Sequence, residues 1–314
     1  MAHPRPFRFG VQLSRADTGA EWAELARKAE DLGYSTLFVP DHFGDQLSPV
    51  VALTAAADAT TELRVGPLVL DNDYKHPVVT AKEVASIDRL SGGRVELGIG
   101  AGWMSSDYEQ SGIAMDPPGV RIDRLEEALD VLEGMFGPGP FSYVGKHYQI
   151  NGLDGLPKPI QQPDGPPVLI GGGGRRVLTL AARRADIVGV NPAIRSGHTD
   201  PAAAQDGAAA VTDRKLQWVR DAAGSRYEDI VINMLIFACV VTGDRASVIE
   251  AMAPLFGVAP EIVGDHPHAW VGTVDQICDD LAARRERWDA SYLVVQGPEA
   301  MDAAAPVVAR MTGT

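Results

Sequence analysis

The sequence predicts an α/β protein folded as one (β/α)8 TIM barrel over residues 1–314. Short apolar segments alternate eight times with helical segments, which is typical of a parallel sheet. No shift in composition marks a domain linker, and eight strand–helix units in this length favour a closed barrel. Two doubly wound halves are the competing architecture. They are disfavoured because G-I-G-A-G-W lacks the third glycine of G-x-G-x-x-G and follows the fourth strand, not the first.

Charge and composition argue against some classes of partner. Acidic residues outnumber basic ones by 42 to 28, for a net charge of −14, which disfavours nucleic acid and anionic membranes as partners. The first residues lack the apolar core of a signal peptide, and the longest apolar run, 230–241, is too short to span a bilayer. Cys239 and Cys278 have no CxxC pattern, which indicates reduced thiols. We expect a soluble, cytoplasmic protein.

The first half of the chain alternates strands and helices in a regular way. A strand over 7–13 precedes a helix over 18–32, on which Trp22, Ala26 and Ala29 share one apolar face at helical spacing. The elements that follow are a strand over 35–39, a helix over 48–60 that Ser48 can cap, a strand over 63–70, a helix over 77–90 that Pro77 opens, a strand over 95–99 and a helix over 120–136.

Two excursions interrupt the second half. Residues 137–153 combine Pro, Gly and aromatic residues as in a small β-hairpin, and residues 193–210 are rich in Ala, Gly and Asp without a period, as in a mobile insertion. The regular elements are strands over 167–170, 186–190, 230–241 and 292–295, and helices that end near 184 and span 211–223, 246–256, 274–288 and 299–311. The apolar run over 230–241 indicates a strand buried on both faces.

Polar, aromatic and glycine residues follow the predicted strands, at the rim where a barrel carries its functional groups. These strand ends are Asp41-His42-Phe43, Leu68-Val69-Leu70-Asp71, Gly100-Ala101-Gly102-Trp103, Gly171-Gly172-Gly173-Gly174, Asn191 and Gln296-Gly297. Core packing does not require such residues at one rim, so we interpret them as a ligand site.

Two glycine segments are candidate ligand contacts. At Gly100–Gly102 the absent side chains let a flat ligand or a phosphate reach the backbone, and Trp103 can wall a ring system. The alternative is a strand end that merely turns a corner. The Gly171–Gly174 run enters a helix with Arg175 and Arg176, an arrangement that binds anions. A flexible turn with solvated arginines is the alternative there.

The histidines divide into one catalytic candidate and several structural ones. His42, beside Asp41 on the rim, is a titratable group that either acts in catalysis or only forms a structural hydrogen bond. His266-Pro-His268 has no third ligand at suitable spacing, so we assign this pair to a surface loop and expect no metal site.

Several segments together resemble the bacterial luciferase-like family of flavin- and deazaflavin-dependent oxidoreductases. They are A-R-K-A-E-D-L-G-Y-S-T-L-F-V-P-D-H-F at 26–43, Y-K-H-P at 74–77, A-S-I-D-R-L-S-G-G-R-V-E-L-G-I-G-A-G-W at 85–103, and G-G-G-G-R-R at 171–176 with the helix that follows. Their order and spacing agree over nearly the whole chain. The family fold is a (β/α)8 barrel, as the strand pattern also predicts.

The resemblance implies that a ring system lies at the barrel mouth. It places the ring against Leu68, Val69 and Leu70, where family members often have a non-proline cis peptide between the first two positions. It places Gly100, Ala101, Gly102 and Tyr108 on the ribityl and phosphate side, Gly171, Gly172, Gly173, Gly174 and Arg175 around the phosphate, and Asp41 and His42 by the reactive edge of the ring. Trp103 stands where the sugar-phosphate dehydrogenase branch has an acidic glutamate, so that chemistry is not carried over.

The resulting hypothesis is an oxidoreductase that uses coenzyme F420, a deazaflavin, to pass a hydride to or from a small organic substrate. His42 would donate or accept a proton, Trp103 would line the substrate pocket, and residues 193–210 would act as a lid. The first alternative is an FMN-dependent monooxygenase, and the second is a non-catalytic protein that binds the cofactor. The family resemblance also implies a homodimer and, for the reduced cofactor, a separate reductase.

Overall fold

The computed structural model describes residues 4–163 and 165–314. Within them the strands are β1 Arg8–Gln12, β2 Thr36–Val39, β3 Arg64–Pro67, β4 Leu70–Asp71, β5 Leu97–Gly100, β6 Phe141–Val144, β7 Gln149–Leu153, β8 Val168–Gly172, β9 Ile187–Val190, β10 Val231–Ile236, β11 Ala238–Val241, β12 Ala269–Gly272 and β13 Ala290–Gln296. The helices are α1 Gly19–Asp31, α2 Pro49–Ala59, α3 Pro77–Leu90, α4 Ser105–Ser111, α5 Pro118–Phe136, α6 Arg175–Arg184, α7 Pro201–Asp206, α8 Ala209–Ala223, α9 Arg245–Phe256, α10 Pro260–Gly264, α11 Val274–Trp288 and α12 Pro298–Met311.

The main sheet is a nearly closed parallel barrel with the strand order β3-β2-β1-β13-β10-β9-β8-β5-β4. The strands β3 and β4 are two parts of one barrel strand: β3 pairs with β2, and β4 pairs with β5. A bridge between Val65 and Val95 joins the two ends of the sheet. Eight strand positions result, and the predicted TIM-barrel fold is confirmed.

Two predicted strands are wrong in their continuity. The strand predicted over 63–70 is interrupted at a cis peptide bond between Leu68 and Val69. The run over 230–241 forms two strands: β10 lies in the barrel, whereas β11 pairs with β12 in a separate parallel sheet. Both runs are mostly apolar, and the polar residues in them, Arg64 and Asn233, do not lie at the breaks, so neither run has a local signal for its break.

Both predicted excursions contain regular elements. Residues 137–153, predicted as a β-hairpin, contain β6 and β7, which pair antiparallel. Residues 193–210, predicted from their composition as a mobile insertion, contain α7 and the start of α8. Asp200 caps α7 by accepting a hydrogen bond from the Ala203 N–H at 2.8 Å, which stabilises a helix too short for a periodic pattern to reveal.

Helix starts follow local chemistry in most cases. Thr18 caps α1 through its side-chain oxygen, which accepts from the Glu21 N–H at 3.1 Å, and Thr273 forms a capping box with Gln276 at α11. Ser48 precedes α2, but its side chain makes no capping hydrogen bond, and Pro49 opens that helix instead. Among the described residues, no helix combines the length and apolar character needed to cross a bilayer.

A buried ion network lies inside the barrel, opposite the rim where the strands end. The Glu96 side chain is 1% exposed, and its Oε1 accepts from Arg8 at 2.5 Å and from Arg64 at 2.8 Å. Its Oε2 accepts from the Tyr292 hydroxyl at 2.8 Å. The network connects the first, third, fourth and eighth strands, and a cluster of Phe38, Leu68, Leu169, Ile187, Tyr292 and Val294 continues the packing towards the rim.

Replacement of Glu96 by alanine should destabilise the barrel. The change leaves two half-buried arginines without their counter-charge, so we expect the free energy of unfolding to fall by about 2–3 kcal/mol. Urea denaturation followed by circular dichroism measures it. Glu83→Ala is the matched control, because Glu83 pairs with Lys75 at 2.8 Å with both side chains about a third exposed; its expected cost is below about 1 kcal/mol. Equal costs for the two variants would contradict the structural role of Glu96.

Candidate functional site

The strand register brings the predicted ligand-site segments to one rim. In the barrel Asp71 lies beside Gly100, and Gly171 lies beside Gly189. The floor of the mouth is formed by Val69. A Cβ atom built on Gly100 would lie 2.8 Å from Val69 Cγ2, and one built on Gly171 would lie 3.5 Å from Val69 Cγ1. Val69 therefore occupies space that these two glycines leave open.

The carbonyl that precedes Val69 is held from the other side of the barrel. Gln12 donates its Nε2–H to the Leu68 oxygen at 2.8 Å, and Gln296 donates to Gln12 Oε1 at 2.7 Å. Leu68 and Leu70 are both buried in apolar clusters. Of the three residues predicted to lie behind a ring, Val69 is the half-buried one, so its side chain is the surface that these positions offer to a ligand.

The second predicted contact, Gly100–Gly102, is a tight turn built against Tyr108. Gly102 has φ +71°, and a Cβ atom there would overlap the Tyr108 hydroxyl and Asp71 Oδ2. Tyr108 is 1% exposed, and its hydroxyl lies 2.8 Å from Asp71 Oδ2 and 3.1 Å from Asp73 Oδ2. Ala101 is half-buried and packs against the core. Tyr108 thus supports the turn from behind, with its hydroxyl bonded inside the protein.

Three carboxyl groups share this part of the rim. Asp41 Oδ2 accepts from the Asp71 N–H at 3.1 Å, and Asp71 Oδ1 accepts from the Asp73 N–H at 2.9 Å. Arg124 pairs with Asp73 at 3.1 Å. Burial raises the pKa of Asp71 to about 6, and it also raises the pKa values of Asp41 and Asp73. The ionised forms of these three carboxyl groups are therefore disfavoured.

His42 lies between Asp107 and Trp103. Its Nδ1 is 2.6 Å from Asp107 Oδ2, and its ring meets Trp103 edge-on with centroids 5.6 Å apart at 85°. Asp107 is 5% exposed and also accepts from the Phe43 N–H at 3.3 Å and the Tyr74 hydroxyl at 3.1 Å. Asp107 is not among the site residues predicted from the sequence, because α4 is a short polar helix without apolar spacing. Its position in the first helical turn after Trp103 was the available signal.

The four glycines after the fifth strand have different roles. Cβ atoms on Gly172 and Gly173 would overlap Val177 and the backbone of Asn191–Ala193, respectively, so both glycines are required by packing. Gly174 is the N-cap residue of α6, makes no side-chain cap, and has open space where a Cβ would project. The free N–H groups of that helix start are the part of the run available to an anion.

The two arginines that follow also differ. Arg176 donates to the Gly119 carbonyl at 3.0 Å and pairs with Asp123, which directs it away from the glycines. Arg175 is exposed and has no hydrogen-bond or ion-pair partner among residues 4–163 and 165–314. Only Arg175 of this pair is available to a ligand.

Residues 192–207 form a strap that crosses from the sixth strand to α4. Ser105 N–H donates to the Gly197 carbonyl at 3.1 Å. Lys215, 1% exposed, holds the two ends of the strap together by donating to the carbonyls of Asn191 and Asp206 at 2.9 Å each. Asn191 Oδ1 is buried without a hydrogen-bond partner in the described chain. The strap is therefore anchored at both ends, and a buried acceptor remains available beside the glycines.

The prediction for His266 and His268 is wrong: neither lies on a surface loop. His268 is 1% exposed and its Nδ1 lies 2.7 Å from the Leu235 carbonyl, while His266 Nε2 lies 3.0 Å from the Ala204 carbonyl. Burial lowers the pKa of His268 to about 3. His266 therefore holds the strap at Ala204, and His268 bonds to β10. No set of three or more His, Cys, Asp or Glu side chains within the described residues is placed to hold a metal ion.

The Asp71 carboxyl gives the folded protein a specific pH dependence. Its pKa rises from 3.8 to about 6 on folding, so its stabilising contribution is complete below about pH 4 and is lost as pH rises through about 6. As pH rises from 4 to 7, titration of this group lowers the free energy of unfolding by about 2 kcal/mol. Asp71→Asn should gain stability relative to wild type over that range, measured by urea denaturation. Asp45→Asn, at an exposed position, is the control. If the stability of Asp71→Asn followed the same pH dependence as that of wild type, the raised pKa of Asp71 would be contradicted.

The chain is similar in sequence to one protein family and to several characterised enzymes. Residues 4–292 match the family described as luciferase-like monooxygenase. The 5,10-methylenetetrahydromethanopterin reductase of Methanopyrus kandleri is 31% identical over 198 residues, which cover 58% of this chain and 55% of that protein. The FMNH2-dependent dimethylsulfone monooxygenase of Pseudomonas putida is 28% identical over 188 residues, covering 56% and 51%.

A solved structure extends the fold comparison to nearly full length. The coenzyme F420-dependent tetrahydromethanopterin reductase of Methanopyrus kandleri has a TM-score of 0.76 and 21% identity, with 98% of this chain and 100% of that chain covered. This likeness shows the shared barrel fold. With the profile match over residues 4–292, it confirms the resemblance seen in the sequence: the chain belongs to the luciferase-like monooxygenase family of oxidoreductases.

Proposed function

We propose that the protein is an oxidoreductase that passes a hydride between coenzyme F420 and a small organic substrate. The observation that carries the proposal is His42: its Nδ1 is bound by Asp107 at 2.6 Å, while its Nε2 has no partner in the described residues and is not a buried atom. Hydride transfer to or from a carbonyl-type substrate also moves one proton. A fixed imidazole with one nitrogen open to the mouth suits that proton transfer.

The residues of the mouth fit a tricyclic ring with a phosphate. Val69 offers an apolar floor, Asn191 Oδ1 is a buried acceptor for a ring N–H, and the helix start at Gly174 with Arg175 suits an anion. When bound, the deazaflavin supplies or accepts the hydride. The protein positions the ring and the substrate and excludes water.

The remaining predicted residues take roles on the substrate side. Trp103, half-buried against the His42 ring, lines the substrate pocket, and the Gly100–Gly102 turn borders the cofactor. Asp41 fixes the strand end through the Asp71 N–H. Tyr108 acts on the cofactor side through the turn that it supports. The strap covers the glycines and serves as a lid.

An FMN-dependent monooxygenase is the second candidate. It is favoured by the relative in Pseudomonas putida that is named as FMNH2-dependent, and the same floor and helix start accept FMN. This candidate requires a separate reductase for the flavin and predicts oxygen consumption coupled to hydroxylation of the substrate.

We also propose a homodimer in the cytoplasm. Val51 and Leu90 are 70% and 77% exposed on the neighbouring helices α2 and α3, an apolar surface that a second copy can cover. The free thiols Cys239 and Cys278 suit a reducing compartment.

Titration of the purified protein with F420 and with FMN, followed by fluorescence, tests the cofactor. We expect F420 to bind with micromolar or better affinity and FMN more weakly, and reduced F420 to be oxidised only when a suitable substrate is present. Tight binding of FMN with substrate-dependent oxygen uptake would support the monooxygenase instead. Binding without turnover across a broad substrate panel would indicate a cofactor-binding protein, and binding of neither cofactor would refute both enzyme assignments.

Gly174→Asp tests the phosphate assignment without disturbing the fold. The backbone at Gly174 has φ −86° with open space at the Cβ position, and aspartate is a good N-cap, so helix stability should not fall. The added negative charge should weaken F420 and FMN binding by about tenfold to a hundredfold. Gly174→Asn is the isosteric neutral control, and riboflavin, which lacks the phosphate, should bind all three proteins alike. Unchanged FMN affinity in Gly174→Asp would remove the phosphate from this position.

A further inference from the structure

We propose that Asp107 is a positioning residue that fixes the tautomer of His42. The imidazole then holds its proton on Nδ1 and presents an unprotonated Nε2 to the barrel mouth. The part played by Nε2 in turnover rests on the proposed function. The tautomer itself is a property of the protein alone.

The Asp107 carboxylate faces three hydrogen-bonding groups that come from the segments after β2 and β4. Oδ2 faces His42 Nδ1 at 2.6 Å and the Tyr74 hydroxyl at 3.1 Å, and Oδ1 accepts from the Phe43 N–H at 3.3 Å. An ionised carboxylate only accepts hydrogen bonds. The nitrogen that faces it at 2.6 Å must therefore carry hydrogen, which assigns the proton to Nδ1.

The other contacts of His42 leave Nε2 as its working atom. The Trp103 ring packs against the imidazole edge, and the His42 side chain is 19% exposed. Nε2 has no hydrogen-bond partner within the described residues, and the atom is not buried. A flip of the ring would break the bond to Asp107 and leave the buried Oδ2 with the Tyr74 hydroxyl as its one donor within the described residues, which disfavours the alternative orientation.

The tautomer determines whether the neutral imidazole can accept a proton at Nε2. When an alcohol is oxidised, its carbon loses a hydride with the bonding electrons to the oxidised cofactor, and its hydroxyl proton passes to Nε2. The resulting imidazolium faces the negative charge of Asp107. When a carbonyl is reduced, the ring must start as the imidazolium, with a proton on each nitrogen; the hydride adds to carbon, the Nε2 proton passes to oxygen, and the neutral ring keeps its proton on Nδ1. Asp107 keeps its own charge throughout, and a neutral ring with its proton on Nε2 would be unable to accept the alcohol proton.

Asp107→Asn is expected to reverse the tautomer. The Phe43 N–H can only donate, so the amide oxygen of asparagine is needed on the Oδ1 side. The amide NH2 then faces His42 Nδ1, which must accept and lose its proton to Nε2. Tyr74→Phe is the matched control, because it removes another donor to the same carboxylate and leaves the bond between Asp107 and His42 intact.

The tautomer is measured by NMR of protein labelled with 15N-histidine, free of cofactor, at about pH 8.5, well above the ordinary titration range of histidine. His42→Ala assigns the signals. We expect protonated Nδ1 in wild type and in Tyr74→Phe, and protonated Nε2 in Asp107→Asn. A wild-type His42 with its proton on Nε2 overturns the proposal even if Asp107→Asn fails to fold. An unchanged tautomer in folded Asp107→Asn overturns it as well.

The kinetic consequence separates this proposal from the proposed function. With a substrate turned over by the wild type, Asp107→Asn should lower kcat by about a hundredfold to ten-thousandfold and change KM only a few fold. An unchanged kcat in a variant with the reversed tautomer would refute the role of Nε2. If wild type binds neither F420 nor FMN, the proposed function fails, while the NMR result still decides the role of Asp107 in fixing the tautomer.

Discussion

The fit of Val69 onto the glycines of the fourth and fifth strands is the packing constraint on which the mouth depends. The third barrel strand is interrupted after Leu68, and Val69 then projects over Gly100, where a Cβ atom would lie 2.8 Å from Val69 Cγ2. A Cβ atom on Gly98 would overlap the Pro67 carbonyl, whereas one on Gly171 would be in ordinary contact with Val69. Gln12 and Gln296 hold the preceding carbonyl from across the barrel. Because close-packed interiors tolerate little extra volume, Gly98 and Gly100 are required whether or not a ligand is bound. These glycines and Val69 form the floor of the mouth, and the exposed part of Val69 is the surface that a ligand can contact.

One short helix connects the chemistry of the rim. Adjacent residues of α4 face different clusters: Asp107 binds His42, and Tyr108 binds Asp71 behind the Gly102 turn. At its start, Ser105 bonds to the strap at Gly197. A displacement of α4 would therefore alter the candidate acid–base group, the Gly100–Gly102 turn and the strap together. The position of the strap and the position of His42 are in this way connected through α4.

The two sides of the mouth differ in charge. On the side of the second to fourth strands, burial raises the pKa values of Asp41, Asp71 and Asp73, which disfavours the ionised forms of these three groups. On the side of the fifth strand, the helix start at Gly174 favours an anion, and Arg175 has no ion-pair partner within the described residues. In a chain with a net charge of −14, this side of the mouth is therefore a local region of positive potential.

The sequence by itself determined the barrel, because strand and helix periods are local and their eightfold alternation leaves few folds. It also identified the rim residues His42, Trp103 and the glycine runs, since strand ends can be located from the same periods. The tertiary structure decided what those residues contact. Asp107 lies 65 positions from His42, and the burial of His268 depends on β12 and the seventh strand. The division of the glycines into those that accommodate packing and Gly174, which is open, depends on Val69, Val177 and the strap. The hydrophobic periodicity of a segment indicates which face of a helix or strand is buried. Only the folded structure shows which distant residue packs on that face.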